Sequence, residues 1–422
     1  YFESANVAAD HQQLMMTIMK STALEHGFVC LLHEKPFAGL NGSGKHVNWS
    51  VGNSTQGNLL DPGNTPHDNL NFLLFCGAVI RGVHLYGPLL RAAIATAGND
   101  HRLGANEAPP AILSVYLGDQ LEGVFNDIKD GNVSTSNDGG LMDLGLEQIL
   151  PFKRDPGDRN RTSPFAFTGN RFEFRAVGSS QSVSGPLIAM NTMLADSLDW
   201  IADKLEEELA GGKEKPAAVA AVLQVLMQEH GNVVFGGNGY AEEWHTAAVE
   251  ERGLRNIPTT ADALPVLLEQ PVIDLFQRTG VLSPVELESR YEVYAEQYIL
   301  SIGVEAKLVI ELAKTIIYPA TMNYVANLAA TVNSASYLGA ELKPAGIKKI
   351  AEATNAMMAT VAQLEEALTN EQFESTAAHM KYCAGPIRTL MDKVRLHADA
   401  LETEVADEFW PLAKYREMLV IK

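Results

Sequence analysis

The stretch Glu34-Lys-Pro-Phe-Ala-Gly-Leu-Asn-Gly-Ser-Gly-Lys-His-Val-Asn-Trp-Ser50 crowds glycine, serine, asparagine, two lysines and a histidine between apolar, strand-like runs. A Gly-rich loop lets backbone N–H groups approach an anion, and the polar side chains beside it can hold a cation or a carboxylate. It reads as an active-site loop. Gly39-x-x-x-x-Gly44-Lys45 matches the phosphate-binding GxxxxGK pattern and follows Phe28 to His33, which reads as a buried strand. The match fails at His46, where a Ser or Thr hydroxyl is needed for magnesium, and VNWSVGNST after it is β-like rather than helix-forming. Taken alone, the segment also reads as an Asn-Gly hairpin turn with a solvated lysine and a packed histidine.

Working outward, residues 11 to 26 place Leu14, Met15, Ile18, Met19 and Ala23 at helical spacing before Gly27. Asn69 to Ala97 reads as one or two core helices with a break at Gly87-Pro88. Ala111 to Leu117 reads as a strand, 118 to 130 as a short helix and 131 to 163 as extended loop. Arg171-Phe-Glu173-Phe-Arg175-Ala-Val177 alternates strictly, which puts Arg171, Glu173 and Arg175 on one strand face and Phe172, Phe174 and Ala176 on the other. With the aromatic face in the core, the charged face meets water or a polar site. After about residue 185 the chain turns to helix after helix: 186–210, 215–229, 239–252, 283–316, 344–369 and 371–405.

The 422 residues carry 32 Lys+Arg against 52 Asp+Glu, a formal charge of −20. That balance disfavours nucleic acid or an anionic membrane as partner and fits a cytoplasmic protein. Three widely spaced cysteines, Cys30, Cys76 and Cys383, support neither a disulfide framework nor a CxxC metal site, and read as buried thiols. No apolar run reaches the length needed to span a bilayer, and no signal-peptide pattern opens the chain. It begins at Tyr1 inside a structured pattern, so upstream sequence is expected.

Lys35-Pro36 with Asn41-Gly42-Ser43-Gly44-x-His46 resembles the signature loop of the glutamine synthetases. Two further family stretches follow in order: Arg102-Leu-x-x-x-Asn-Glu107-Ala-Pro109, then Arg159-Asn160-Arg161-Thr162-Ser163 leading to Arg171-x-Glu173-x-Arg175. The wording HEKPFAG, NGSGKH and RNRTSPFAFTGNRFEFR is similar to the type III branch in particular. The resemblance implies an α+β fold, with an antiparallel-sheet catalytic domain of the glutamine synthetase/guanido kinase kind, present in part as residues 1–184. A helix-rich C-terminal region, 185–422, would follow.

It also implies ATP-dependent ligation of ammonia to L-glutamate through γ-glutamyl phosphate. By the match, His46 and Glu173 converge on a shared Mg2+ or Mn2+, a hard ion suited to carboxylate oxygen with one imidazole. Arg102 and Arg175 bind the glutamate, with Asn41 and the Gly42 backbone. Glu107, on a flap, guards the ammonia site and takes a proton from the amine. Arg161 stabilises the phosphoryl group in transfer. Arg171 contacts the nucleotide, and Asn48 and Ser50 line the adenine pocket with Phe2.

Read without the family, Glu107 is an ordinary loop acid and strand 171–177 a surface strand of alternating charge. The chain departs from the family at Asn48, where a His is usual, and holds no basic residue between Arg161 and Arg171. The family's Glu-x-Glu pair and two further glutamates precede the region present. Assembly is implied to be a dodecamer of two hexameric rings, with sites between subunits. A γ-glutamyl ligase for another amine and a non-catalytic assembly protein are the alternatives. Asn232-Val-Val-Phe-Gly-Gly-Asn-Gly-Tyr240 and Glu243-Trp-His245 resemble the type III branch without a role to assign, and His245 reads as packed or solvated.

Overall fold

The computed structural model describes residues 2–35, 40, 42, 44–63, 65–104, 111–132, 141–142, 152–153, 160–342, 345–370, 372–414 and 417. Its contacts divide the chain into two units, Tyr1–Tyr291 and Glu292–Lys422.

In the first unit the strands are β1 Lys45–Trp49, β2 Gly52–Asn53, β3 Gly57–Asn58, β4 Val115–Tyr116, β5 Leu141–Met142, β6 Phe152–Lys153, β7 Phe165–Phe167 and β8 Phe172–Val177. One sheet has the order β1-β8-β7-β4, while β2 with β3 and β5 with β6 form two-stranded pairs. Strand β8 is antiparallel to both β1 and β7, and β4 runs parallel to β7, so the sheet is mixed at that edge rather than wholly antiparallel. The register sets Val47 and Phe165 beside Phe174, and Trp49 and Phe167 beside Phe172. All six are buried. They form one apolar face, as the alternation of β8 requires.

Helix Leu70–Ala93 is the partner of that face. Phe72 meets Phe167 with ring centroids 5.7 Å apart, and Trp49 donates from Nε1 to Asn191 Oδ1 at 2.9 Å, which ties in helix Ser184–Ala210. Gly82 faces Met193 where those two helices pack, and a Cβ there would lie 3.4 Å from it, in van der Waals contact. Helix Lys215–His230 packs on the same pair. The change of character expected at residue 185 therefore falls inside this unit. By length and composition Leu70–Ala93 could cross a membrane, contrary to the expectation that no run suffices, but 72% of its apolar window is buried, which marks a core helix. Pro88 does not end it; the helix kinks at Tyr86 (φ −122°, ψ 19°) and continues.

One expectation fails near the N-terminus, that of a strand at Phe28 to His33. Helix Ala5–Glu25 forms as its spacing predicts, with Leu14, Met15, Ile18 and Met19 exposed and Ala9 its buried residue. Phe28 to His33 makes no strand: among the described residues no ladder partner faces it, and Phe28, Val29 and Leu31 are exposed. Residues 111–117 shrink to the two-residue β4, with Ile112 bridging Asn256.

The second unit is helical: Tyr318–Tyr337, Ala345–Leu368, Thr376–Tyr382 and Arg388–Glu404 follow the end of Pro284–Leu312. Ile317, Ile350, Met357, Val361, Val394, Leu401 and Trp410 share its core. Sequence reading ended a helix at 316 and missed Tyr318–Tyr337. A π-helical turn, Ala313–Ile317, leads into Pro319, and another, Cys383–Ile387, contains Pro386. Proline lacks an N–H and crowds the carbonyl four residues back, and the wider turn absorbs both defects, so the helix runs on. Cys76 and Cys383 are buried free thiols, and Cys30 is half-buried.

Candidate active site

The sheet face opposite the aromatic core carries the polar residues. Asn48 lies across from Glu173 on β1, and the small Ala166 lies across from it on β7. A register irregularity between Lys45 and Val47 adds local twist there. His46 Nδ1 lies 2.5 Å from Glu173 Oε1. Burial pushes the imidazole below 6.5; Glu173 pulls it up through charge and hydrogen bond, and Arg175 and Arg102 push it down. A neutral imidazole oriented by a carboxylate is the form that can ligate a metal. Glu173 Oε2 also sits 3.7 Å from Arg175 Nη2. Arg175, almost fully buried, donates from Nη1 to the Asn160 carbonyl.

Arg102 lies beneath this face, 1% exposed. It donates from Nη2 to the Arg175 carbonyl at 2.7 Å and from Nη1 to the Val177 carbonyl at 3.2 Å. Asn99 joins it, donating to the Ala176 carbonyl at 2.8 Å. The end of β8 is thus laced down by the start of the expected flap. Gly44 admits this arrangement, because a Cβ there would collide with the Arg102 guanidinium. Glu34, 2% exposed, accepts the Ser179 N–H at 2.8 Å and its charge supports that of Arg102. Gly98 and Gly178 make room for its carboxylate, which hypothetical Cβ atoms would approach to 2.6 and 2.5 Å.

The remaining expected residues are spread around this centre. Arg171 places its guanidinium 5.9 Å over the Phe2 ring, so these two meet. Asn48 is exposed beside Glu173. The Ser50 hydroxyl donates to Asn58 Oδ1 at 2.5 Å, and Asn58 anchors to the Asn170 carbonyl, so Ser50 is engaged with its own loop. Gly42 is half-buried against the Glu34 backbone and the Lys35 stem. Arg161 is exposed on a turn. Asn41, Glu107 and Arg159 lie outside the described residues.

Sequence reasoning gave no role to Glu34, Asn99, Asn160 or Thr162. Glu34 stood in the decisive stretch, but its burial depends on glycines far along the chain. Among the described residues no three His, Cys, Asp or Glu side chains cluster to hold a metal. His46 and Glu173 fit a hard divalent ion as two donors of a larger set. One imidazole, one carboxylate and the Arg175 guanidinium lie together on this face, a set that suits anions bridged by a cation.

Residues 1–85 match the family model of the glutamine synthetase catalytic domain, and residues 218–336 match that of the glutamine synthetase C-terminal domain. Over its whole length the chain is 42% identical to the type-3 glutamine synthetase of Dictyostelium discoideum, covering 58% of that protein. It is 38% identical over its whole length to a glutamine synthetase of Bacteroides fragilis, covering 59%, and 37% identical over 99% of its length to one of Butyrivibrio fibrisolvens, covering 60%. The chain thus spans about three fifths of the length of these relatives.

Proposed function

The chain belongs to the glutamine synthetase family, and from that premise we propose that its activity is the ATP-dependent ligation of ammonia to L-glutamate. The carrying observation is the approach of His46 Nδ1 to Glu173 Oε1, 2.5 Å apart on the polar sheet face. The γ-carboxylate of glutamate attacks the terminal phosphoryl group of ATP and releases ADP. Ammonia then displaces phosphate from the γ-glutamyl phosphate, losing a proton to Glu107. Magnesium or manganese, held by His46 and Glu173 with further donors, would neutralise phosphate charge.

The chain's own residues do the rest. Arg175 holds the glutamate carboxylate with Asn41 and the Gly42 N–H, and Arg161 offers fixed charge to the phosphoryl group. Arg102 reaches glutamate in this reading only by leaving the β8 carbonyls it now holds. Arg171 with Phe2, and Asn48 with Ser50, face the nucleotide. Residues 1–184 serve as the C-terminal part of the catalytic domain and 185–422 as the helix-rich region. A dodecamer of two hexameric rings agrees with the uncovered apolar side chains of helix Ala5–Glu25, and a cytoplasmic setting agrees with free thiols.

Phosphate release by the full-length protein tests the assignment. With ATP and glutamate it should depend on ammonium, and methylamine, ethanolamine and putrescine should replace ammonium poorly. Turnover on a larger amine exceeding that on ammonium would move the substrate assignment, and no amine-dependent release at all would end it.

A further inference from the structure

We propose that the turn Gly236–Tyr240 is a positioning element for Arg161, acting through the side chains of Asn160 and Thr162. The inference rests on the synthetase reading and concerns a segment to which that reading gives no part. Beyond helix Lys215–His230 the chain passes a 3-10 turn, and Val234 bridges Val115 in parallel while the Phe235 N–H donates to the Val115 carbonyl at 2.9 Å. The segment thereby extends the catalytic sheet at its β4 edge.

Its glycines then meet the arginine loop on both sides of Arg161. Asn160 donates from Nδ2 to the carbonyls of Gly236 and Gly237 at 3.0 and 2.7 Å. Thr162 Oγ1 accepts the Gly239 N–H at 2.8 Å and donates to Asn160 Oδ1 at 2.7 Å. The Asn160 carbonyl in turn accepts from Arg175. Arg161 itself is exposed. Its backbone is therefore pinned on either side while its guanidinium stays available.

The turn has a rigid mount of its own. Phe235 stacks on Trp244 with centroids 3.5 Å apart and planes 7° apart. Arg252 caps both rings at 5.6 and 5.2 Å and donates to the Val234 carbonyl at 2.8 Å. His245 Nε2 lies 3.1 Å from the Gly239 carbonyl. A Cβ at Gly237 would come within 2.6 Å of the Phe235 ring, so glycine is required for the turn to close on its mount. Charge that must be in place when the phosphoryl group moves gains from such fixing, since a shift of about 1 Å can cost roughly 100-fold in rate.

The test uses the full-length protein and compares Thr162→Val, Thr162→Ser, Gly237→Ala and the Thr162→Val/Gly237→Ala double variant. Ammonium-dependent phosphate release and the thermal midpoint are measured for each. Thr162→Val and Gly237→Ala should each lower kcat about 10- to 100-fold, with KM for ATP and glutamate held within about threefold. Thr162→Ser, which keeps the hydroxyl, should retain turnover. The double variant should be no slower than the slower single, because both remove one linkage. Wild-type kcat in Thr162→Val, multiplying losses in the double variant, or losses that follow the thermal midpoint would overturn the inference while the synthetase reading stands. Wild-type protein without ligase activity would remove both.

Discussion

Glu173 touches both kinds of group that the proposed chemistry needs, an imidazole through Oε1 and a guanidinium through Oε2. Its partners differ in how visible they are in sequence. His46 and Arg175 are singled out by the family resemblance of the Gly-Ser-Gly loop and of the Arg-x-Glu-x-Arg strand. Arg102, matched to the flap, instead turns both Nη groups to the β8 carbonyls, and nothing in its local sequence announces that burial. A second pair of residues has a pH consequence. His84 Nδ1 lies 2.9 Å from His230 Nδ1, beside the Trp200 ring, with Arg81 over Trp200 and Glu229 3.6 Å from His230 Nε2. Burial holds both imidazoles below 6.5, His230 at about 4, where His84 and Arg81 add to the effect. In the unfolded chain each takes a proton near 6.5. Between about 6.5 and 4 the unfolded chain binds more protons, so stability falls as pH falls through that window and is flat above it. Urea denaturation across pH 4 to 8 should show that slope, and His230→Gln should lessen it, the remainder coming from His46, His84 and His379, which burial also holds low. An unchanged slope in the variant would contradict the account.

At the scale of elements, β8 works because one face puts Phe172 and Phe174 into the core while the other presents Glu173 and Arg175. Phe174 is fully buried between Val47 and Phe165. Phe174→Ala should cost about 3–5 kcal/mol in denaturant titrations, through lost transfer energy and the cavity left behind. A cost under about 1 kcal/mol would mean the strand is not aimed by its core face. Alternation made this strand legible, because period two needs no knowledge of the partner. Phe28 to His33 shows the limit of that signal. The same propensity without a ladder partner leaves its apolar side chains in water. Likewise, Asn160 meets Gly236 and Gly237 through backbone carbonyls, which leave no side-chain signature.

For the molecule as a whole, an acidic α+β chain rich in helix toward its C-terminus was legible through three motifs in order and the family they resemble, whereas the parallel β4 edge and the start of the second unit at Glu292 were not. The hidden parts share a cause. Helix Tyr318–Tyr337 begins beside Pro319, where a π turn carries the chain on from the preceding helix, and such turns have no local code. The boundary at 291 is set by which helices share a core, a property of contacts rather than composition. The account comes together at the metal pair. Mn2+ binding to the full-length protein, followed by electron paramagnetic resonance in wild type, His46→Ala and Glu173→Ala, tests it most directly. Each substitution should weaken binding about tenfold or more with the thermal midpoint kept; Mn2+ affinity equal to wild type in both variants would contradict it.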